Sequence, residues 1–319
     1  MTTKKSHIAF DDNALFAKSQ LYISRGYKAF QAKDLEEYQL WAALALELLG
    51  KSTLAWVSPT LVADPQCVES LFAACGLSKS VDVRSITAST LFKRLGKLSK
   101  SFDHRAEQFC TSLTLRRNSE IHSGESPFSA MELKKWENQF WHAVEIMLRM
   151  QEKSLDDWLS PKDASEKKKL LHDVQAAREK AIAARIENCK KDFIEKFKGN
   201  PEEMKKVIEN SKSQPSVTFS GRFSNSDAVE NEECPACTGF ALVGGVMWHE
   251  EVVDMDYDPD SDSPPIESVE TTYSIEEFWC PYCGLKFDGV EEIAAAGVSS
   301  EFSRVSDREM EFEPDYGND

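Results

Sequence analysis

Through its first 160 residues the chain places apolar side chains about every 3.6 positions. Beyond residue 238 the pattern changes to runs rich in β-branched and aromatic residues. Leu15, Phe16, Tyr22, Ile23 and Phe30 predict a helix over residues 12–32, with Asp11 or Asp12 as its N-cap. Asp34 opens a second helix, to about residue 56. Its apolar face (Leu40, Trp41, Leu44, Ala45, Leu48, Leu49) is wide enough to need burial on most sides, as in a helical bundle. Residues 57–80 carry Pro59, Pro65 and Gly76 and read as a connecting lobe with a short helical turn near 66–75. Helical segments follow over 85–92 and 93–100. A longer one, 103–122, turns Ala106, Phe109, Cys110 and Leu113 inward and is stopped by Ser123-Gly124. Residues 131–159 form another strong helix, with Trp136, Phe140, Val144, Met147 and Leu148 on one stripe.

Ser160-Pro161 marks a boundary. Residues 164–198 are rich in Ala, Lys, Glu and Arg and predict a long exposed helix, paired in a hairpin with 201–211 after the Gly199-Asn200-Pro201 break. This segment reads either as a solvated spacer or, through Lys167-Lys168-Lys169, as a basic arm for RNA. Residues 239–253 and 268–279 can pair as strands around an acidic, proline-containing loop at 254–265. The expected layout is a mainly α protein: an all-α domain over 10–160, a helical linker or arm over 161–212, a flexible linker over 213–231, a small β-rich module over 232–298 and an acidic tail over 299–319.

Charge sharpens this division. Residues 227–319 hold 25 acidic residues against Lys286, Arg304 and Arg308, a net of −22, which leaves +6 for the rest of a chain whose formal charge is −16. The C-terminal part is therefore a poor surface for nucleic acid, while the N-terminal two-thirds can meet a phosphate backbone. No apolar run nears the roughly 18 residues of a membrane span. Residues 1–7 have no apolar stretch after their lysines, so the expectation is a cytoplasmic protein without a membrane partner.

Four of the eight cysteines fall in Cys234-Pro235-Ala236-Cys237 and Cys280-Pro281-Tyr282-Cys283, with 42 residues between the pairs. Two such knuckles can point four thiolates at one ion, and that donor set suits tetrahedral Zn²⁺. Cys67, Cys75, Cys110 and Cys189 lack partner spacing and read as ordinary small apolar residues. Residues 232–290 resemble a zinc ribbon, with Cys283-Gly284 matching the second knuckle. The resemblance implies a structural zinc held by Cys234, Cys237, Cys280 and Cys283. Four protein ligands leave no open position for catalysis.

The remaining chemistry lies in Leu115-Arg116-Arg117-Asn118-Ser119-Glu120-Ile121-His122. Asn118 and His122 are four residues apart and share a helix face, and the long Arg117 side chain can sweep onto it. A guanidinium grips phosphate, an imidazole titrates near neutrality, and an amide can orient either. Two structural readings compete. A helix C-terminus favours cations through its dipole, and Glu120 can pair with Arg116 as an i, i+4 surface bridge.

Arg117-Asn118-Ser119-Glu120-Ile121-His122 matches the Arg-x4–6-His motif of the HEPN superfamily, and the helices over 10–160, including the one bearing Glu47 and Lys51, resemble that family's bundle. The resemblance implies a metal-independent endoribonuclease of toxin, defence or RNA-processing type, with RNA as substrate and a homodimer that joins two copies of the motif. It assigns His122 as general base, Arg117 as the group that stabilises phosphate charge, Asn118 as a positioning residue and Arg116 as a further phosphate contact. Catalysis would need no cofactor. The module with the cysteines would bind a regulatory protein partner, the substrate or the nuclease domain itself. The family also contains non-catalytic adaptors that bind nucleotides or protein partners, and that reading stays open.

Overall fold

The computed structural model describes residues 5–78, 82–129, 133–198, 200–212, 222–223, 225–256 and 266–309. The chain divides into two compact units, Met1–Ala177 and Arg178–Asp319.

The first unit is helical. Asp11 caps α1 (Asp12–Gln31), its carboxylate accepting from the Ala14 backbone, and Asp34 does the same for α2 (Leu35–Val57) through Glu37. Each cap satisfies a backbone N–H that the helix cannot. The turn between α1 and α2 is tight, with Lys33 in the left-handed region at φ 65°. The two helices pack closely at Gly26, where a Cβ would sit 3.3 Å from Trp41 and Tyr38 side-chain atoms. Two shorter helices, α3 (Val68–Ala74) and α4 (Ala88–Leu98), precede α5 (His104–His122). After α6 (Leu133–Arg149) comes the short α7 (Leu155–Trp158).

Helix α2 carries the core. Tyr38, Ala42, Leu46, Leu49 and Leu54 are buried, and so are Phe140, Trp141, Val144, Met147 and Leu148 of α6. Among the described residues α2 is also the one helix long and apolar enough to cross a membrane by length and composition, and 56% of its most apolar stretch is buried within the protein. Its breadth of apolar surface is that of a helix packed on several sides.

Residues 131–159 do not form one helix. α6 stops at Arg149 because Gln151 turns inward, hydrogen-bonded to Ser52 (2.9 Å) and Thr53 (2.8 Å) of α2. Glu152 then adopts φ 57°, and a capping box between Ser154 and Asp157 starts α7. The segments expected at 85–92 and 93–100 are the single helix α4, opened by Thr87.

Helix α8 (Pro161–Lys196) is shared between the units. Ala164, Leu170 and Leu171 pack on the helical core of the first unit. Lys167 pairs with Glu137 and lies over the Trp141 ring, and Lys168 pairs with Asp156. Two of the three lysines of the supposed basic arm are thus engaged within the protein. Further along, Ile182, Ile186 and Phe193 pack on the core of the second unit, as do Met204 and Ile208 of α9 (Pro201–Ser211). Residues 161–212 form the expected long, mostly exposed helix and a second helix after it, but a few side chains enter two cores. Large apolar residues are sparse along this stretch, but their spacing puts them on one face.

The second unit is built on an antiparallel sheet. β1 (Ala228–Glu233) pairs with β2 (Phe240–Asp256), β2 with β3 (Ile266–Trp279), and β3 with both β4 (Lys286–Asp288) and β5 (Glu301–Glu309). α10 (Val290–Ala295) lies between β4 and β5 in sequence. Two expectations change here. Residues 228–231, assigned to a flexible linker, belong to a strand that runs on through Glu233. Residues 301–309, assigned to an acidic tail, pair with β3 along their whole length, from Ser274↔Glu301 to Ile266↔Glu309. Only Phe302 and Val305 are apolar among nine residues that include five charged ones, too few and not at period two, so the sequence alone does not read as a strand. Residues 213–221 of the expected linker, 257–265 of the hairpin loop and 310–319 of the tail lie outside the described residues.

Candidate functional site

Two constellations carry chemistry, one in each unit. In the first unit, Asp103 caps α5 by accepting from the Ala106 backbone (2.9 Å). Ala106, Cys110, Leu113 and Thr114 form the buried stripe of the helix. Arg117 continues that stripe, three residues beyond Thr114 and four beyond Leu113, so its side chain is directed at α2. There the guanidinium pairs with Glu47, which also accepts from Lys51 at 2.8 Å. Lys51 donates to Ser85 Oγ at 3.1 Å. The three charged side chains are only 12–17% exposed. Burial alone would raise the Glu47 carboxyl, but Lys51 and Arg117 beside it hold it below its ordinary value. The Arg117 Nε is buried with no hydrogen-bond partner among the described residues.

Asn118 and His122 occupy the opposite situation. α5 stays helical through His122, which keeps the two residues on one face, and both are exposed, as is Arg116. Among the described residues no hydrogen bond or ion pair engages their side chains. Ser123 ends the helix, its backbone N–H bonding to the Ser119 carbonyl. Leu115 and Ile121 beside this face are also exposed, at 62% and 47%. The expected Arg116–Glu120 bridge does not form, because Glu120 instead accepts from the Phe128 backbone at 3.4 Å. Arg117 likewise does not sweep onto the Asn118–His122 face, since the Glu47 carboxylate draws it inward. Sequence reasoning notes Glu47 and Lys51 only as features of a family-like helix. Their i, i+4 spacing beneath an apolar run was the available sign that a buried cation needs a partner there.

In the second unit the two cysteine knuckles meet. In the first, the Cys234 N–H donates to Gly239 O and the Thr238 N–H to Cys234 O. In the second, the Cys280 N–H donates to Leu285 O and the Gly284 N–H to Cys280 O, all at 2.9 Å. Each turn needs a left-handed residue, supplied by Thr238 (φ 60°) and Gly284 (φ 77°). The four sulfurs lie within 4.8 Å of one another and all four residues are buried. Cys234 and Cys283 are 3.6 Å apart and Cys237 and Cys280 3.5 Å, far longer than the ~2.05 Å of a disulfide. A tetrahedral site with metal–sulfur bonds of about 2.3 Å has sulfur–sulfur edges of about 3.8 Å, close to these separations. The donor set therefore fits a metal ion such as zinc. The thiols influence one another strongly: hydrogen bonding with Cys234 holds Cys237 below the ordinary thiol value, while bonds from Cys234, Cys237 and Cys283 push Cys280 far up.

The surroundings close the cluster. Ile182 and Phe193 of α8 are buried in the same hydrophobic core as the four cysteines, and Ser211 at the end of α9 accepts from the Phe240 backbone (2.9 Å). Cys189, read from the sequence as an ordinary small residue, packs beside the cluster, and burial pushes its thiol up. His249 is exposed, 3.5 Å from Glu251, and takes no part. Compared with known proteins, the chain matches no family model, no curated protein and no solved structure.

Proposed function

We propose that the protein is a metal-independent endoribonuclease of HEPN type, with a structural zinc in its C-terminal unit. The observation that carries the reading is the division of labour at the end of α5. Asn118 and His122 stand exposed on one face, while Arg117 of the same helix is anchored by Glu47, which also holds Lys51. In the reaction His122 takes the proton of a ribose 2′-hydroxyl, and the 2′-oxygen attacks the adjacent phosphorus. The bond to the 5′-oxygen breaks, and that oxygen leaves with a proton from solvent or from a second imidazole. The exposed Arg116 stabilises the developing phosphate charge, Arg117 joins it when the substrate phosphate draws its guanidinium away from Glu47, and Asn118 positions the scissile group. The products carry a 2′,3′-cyclic phosphate and a 5′-hydroxyl. A second copy of the chain, bringing its own motif, completes the site in this reading.

Zn²⁺ held by Cys234, Cys237, Cys280 and Cys283 supplies folding free energy to the C-terminal unit and takes no part in cleavage. The direct test incubates the full chain with mixed cellular RNA in EDTA, with circular dichroism recorded in parallel to check folding. Cleavage leaving cyclic-phosphate ends supports the reading. A folded protein that cuts only when Mg²⁺ is added contradicts it.

One observation favours a second reading, that of a non-catalytic adaptor. The Arg117 guanidinium is already committed to Glu47, as a structural arginine would be. On that reading the exposed Leu115, Asn118 and His122 face is a contact for a protein or nucleotide, and no RNA is cut under any condition.

A further inference from the structure

The far end of the second unit's sheet is asymmetric in a way its own stability does not require. Up to Gly245, β2 lies between β1 and β3, since Ala228 pairs with Gly245. β2 then continues to Asp256 with β3 alone beside it. Among the described residues no strand pairs with the other edge of β2 from His249 to Asp256. Eight residues of strand expose about 26 Å of edge, with backbone donors and acceptors directed outward at alternate positions.

The register assigns each side chain here to a face. Glu250 and Met255 of β2 oppose Thr271 and Glu267 of β3, which oppose Arg304 and Arg308 of β5. On that face the carboxylates are answered: Arg308 bonds to Glu250 (2.6 Å) and Glu267 (3.1 Å), and Arg304 to Glu230 (3.1 Å). The other face carries Glu251, Asp254 and Asp256 of β2, Glu270 of β3, and Asp307 and Glu309 of β5. None of these six pairs with a lysine or arginine among the described residues, and the strand positions of that face contribute no such residue. Glu251 stands directly opposite Glu270, a pairing of like charges that weakens a sheet. On the answered face the edge strand leaves Val252 48% and Met255 51% exposed.

We propose that this edge docks an extended protein segment in which lysine or arginine alternates with apolar residues, added as a further strand along β2. An added strand turns successive side chains to opposite faces. Its basic residues then lie beside Glu251, Asp254 and Asp256 of β2, within the negative field that Glu270, Asp307 and Glu309 extend across the same face, and its apolar residues cover Val252 and Met255. The charge also decides against other occupants. A second copy pairing through the same edge would set Glu250, Glu251, Asp254 and Asp256 against themselves, and RNA would meet a field of its own sign. Natural sheet edges are often protected from self-association by lysines; here the carboxylates perform that protection while admitting a cationic strand.

The proposal does not depend on RNA cleavage, and its test measures binding only. Fluorescence anisotropy on the full chain compares three labelled twelve-residue peptides: one alternating arginine and valine, one with the same residues in two blocks, and one alternating glutamate and valine. The expected result is that the alternating basic peptide binds at least tenfold more tightly than the block peptide, with affinity falling as salt rises, and that the acidic peptide does not bind. Glu251→Lys/Asp254→Lys changes two exposed residues, and circular dichroism checks its fold. It weakens the basic peptide at least tenfold, whereas Glu251→Gln/Asp254→Gln weakens it less. Equal binding of alternating and block peptides overturns the added strand. Unchanged binding by the Lys variant overturns the site. Self-association of the wild type that the Lys variant alters identifies a second copy as the occupant and likewise overturns the proposal.

Discussion

The cysteine cluster and the end of α5 are both small groups of chemically able side chains, but one is closed and the other half open. Cys234, Cys237, Cys280 and Cys283 are all buried, face one another, and share one hydrophobic core with Ile182 and Phe193. Arg117 is nearly as enclosed, yet Asn118 and His122, one and five residues on, are exposed, and no hydrogen bond or ion pair engages their side chains among the described residues. A closed set of four thiols spends its chemistry on the fold. A half-open set keeps an anchored cation under exposed groups that can still meet a substrate. The difference teaches that burial, rather than residue type, separates a structural constellation from a candidate catalytic one.

Removing the metal breaks the comparison most severely. Structural zinc in small modules contributes roughly 10–16 kcal/mol of folding free energy. Cys280→Ser, or chelation, is expected to abolish amide-exchange protection over residues 228–309 while residues 12–158 keep theirs. Elemental analysis of the wild type should give one zinc per chain. Protection that survives with no metal bound would make the cysteines a plain buried core.

Glu47→Ala ranks second. It leaves the enclosed Arg117 without its partner and is expected to cost about 2–4 kcal/mol, somewhat less than for a fully buried pair. Thermal unfolding of the first unit measures this, and a change below about 0.5 kcal/mol would show that Arg117 is held by packing alone. A smaller, pH-dependent effect follows from the same carboxyl. Because its folded value is depressed, Glu47 stabilises the protein fully above the ordinary glutamate range, and that contribution is lost as pH falls through the lowered value. Comparing the wild type with Glu47→Gln from pH 7 down to about 3 should therefore show a gap that closes toward acid. A gap that widens toward acid would reverse the sign. The smallest effect on stability belongs to His122→Ala, within about 0.5 kcal/mol because the side chain is exposed and has no hydrogen-bond or ion-pair partner among the described residues.

Much of this arrangement was legible in the sequence, for identifiable reasons. The Asp11 and Asp34 caps, the periodicity of α2 and α5, and the two knuckles are local signals, and local signals survive in one dimension. The partition of residues 161–212 between two cores was hidden because Ile182, Phe193 and Ile208 are few among many charges, and their partners lie far away in sequence. β5 was hidden because its pairing with β3 neutralises or spreads charges that look like a tail when read alone. The direction of Arg117 depended on Glu47, seventy residues earlier. The i, i+4 rule places Asn118 with His122 but says nothing about which way a long side chain between them will turn.

The central claim is that the exposed imidazole of His122 performs chemistry that its surroundings do not need for folding. The most direct measurement compares RNA cleavage by the wild type and by His122→Ala, purified in parallel and matched in melting temperature, in the presence of EDTA. The account predicts cleavage by the wild type and a rate at least 10²-fold lower for the variant, the contribution expected of a positioned general base. Equal cleavage by both proteins, or none by either across structured and unstructured RNAs, would contradict it.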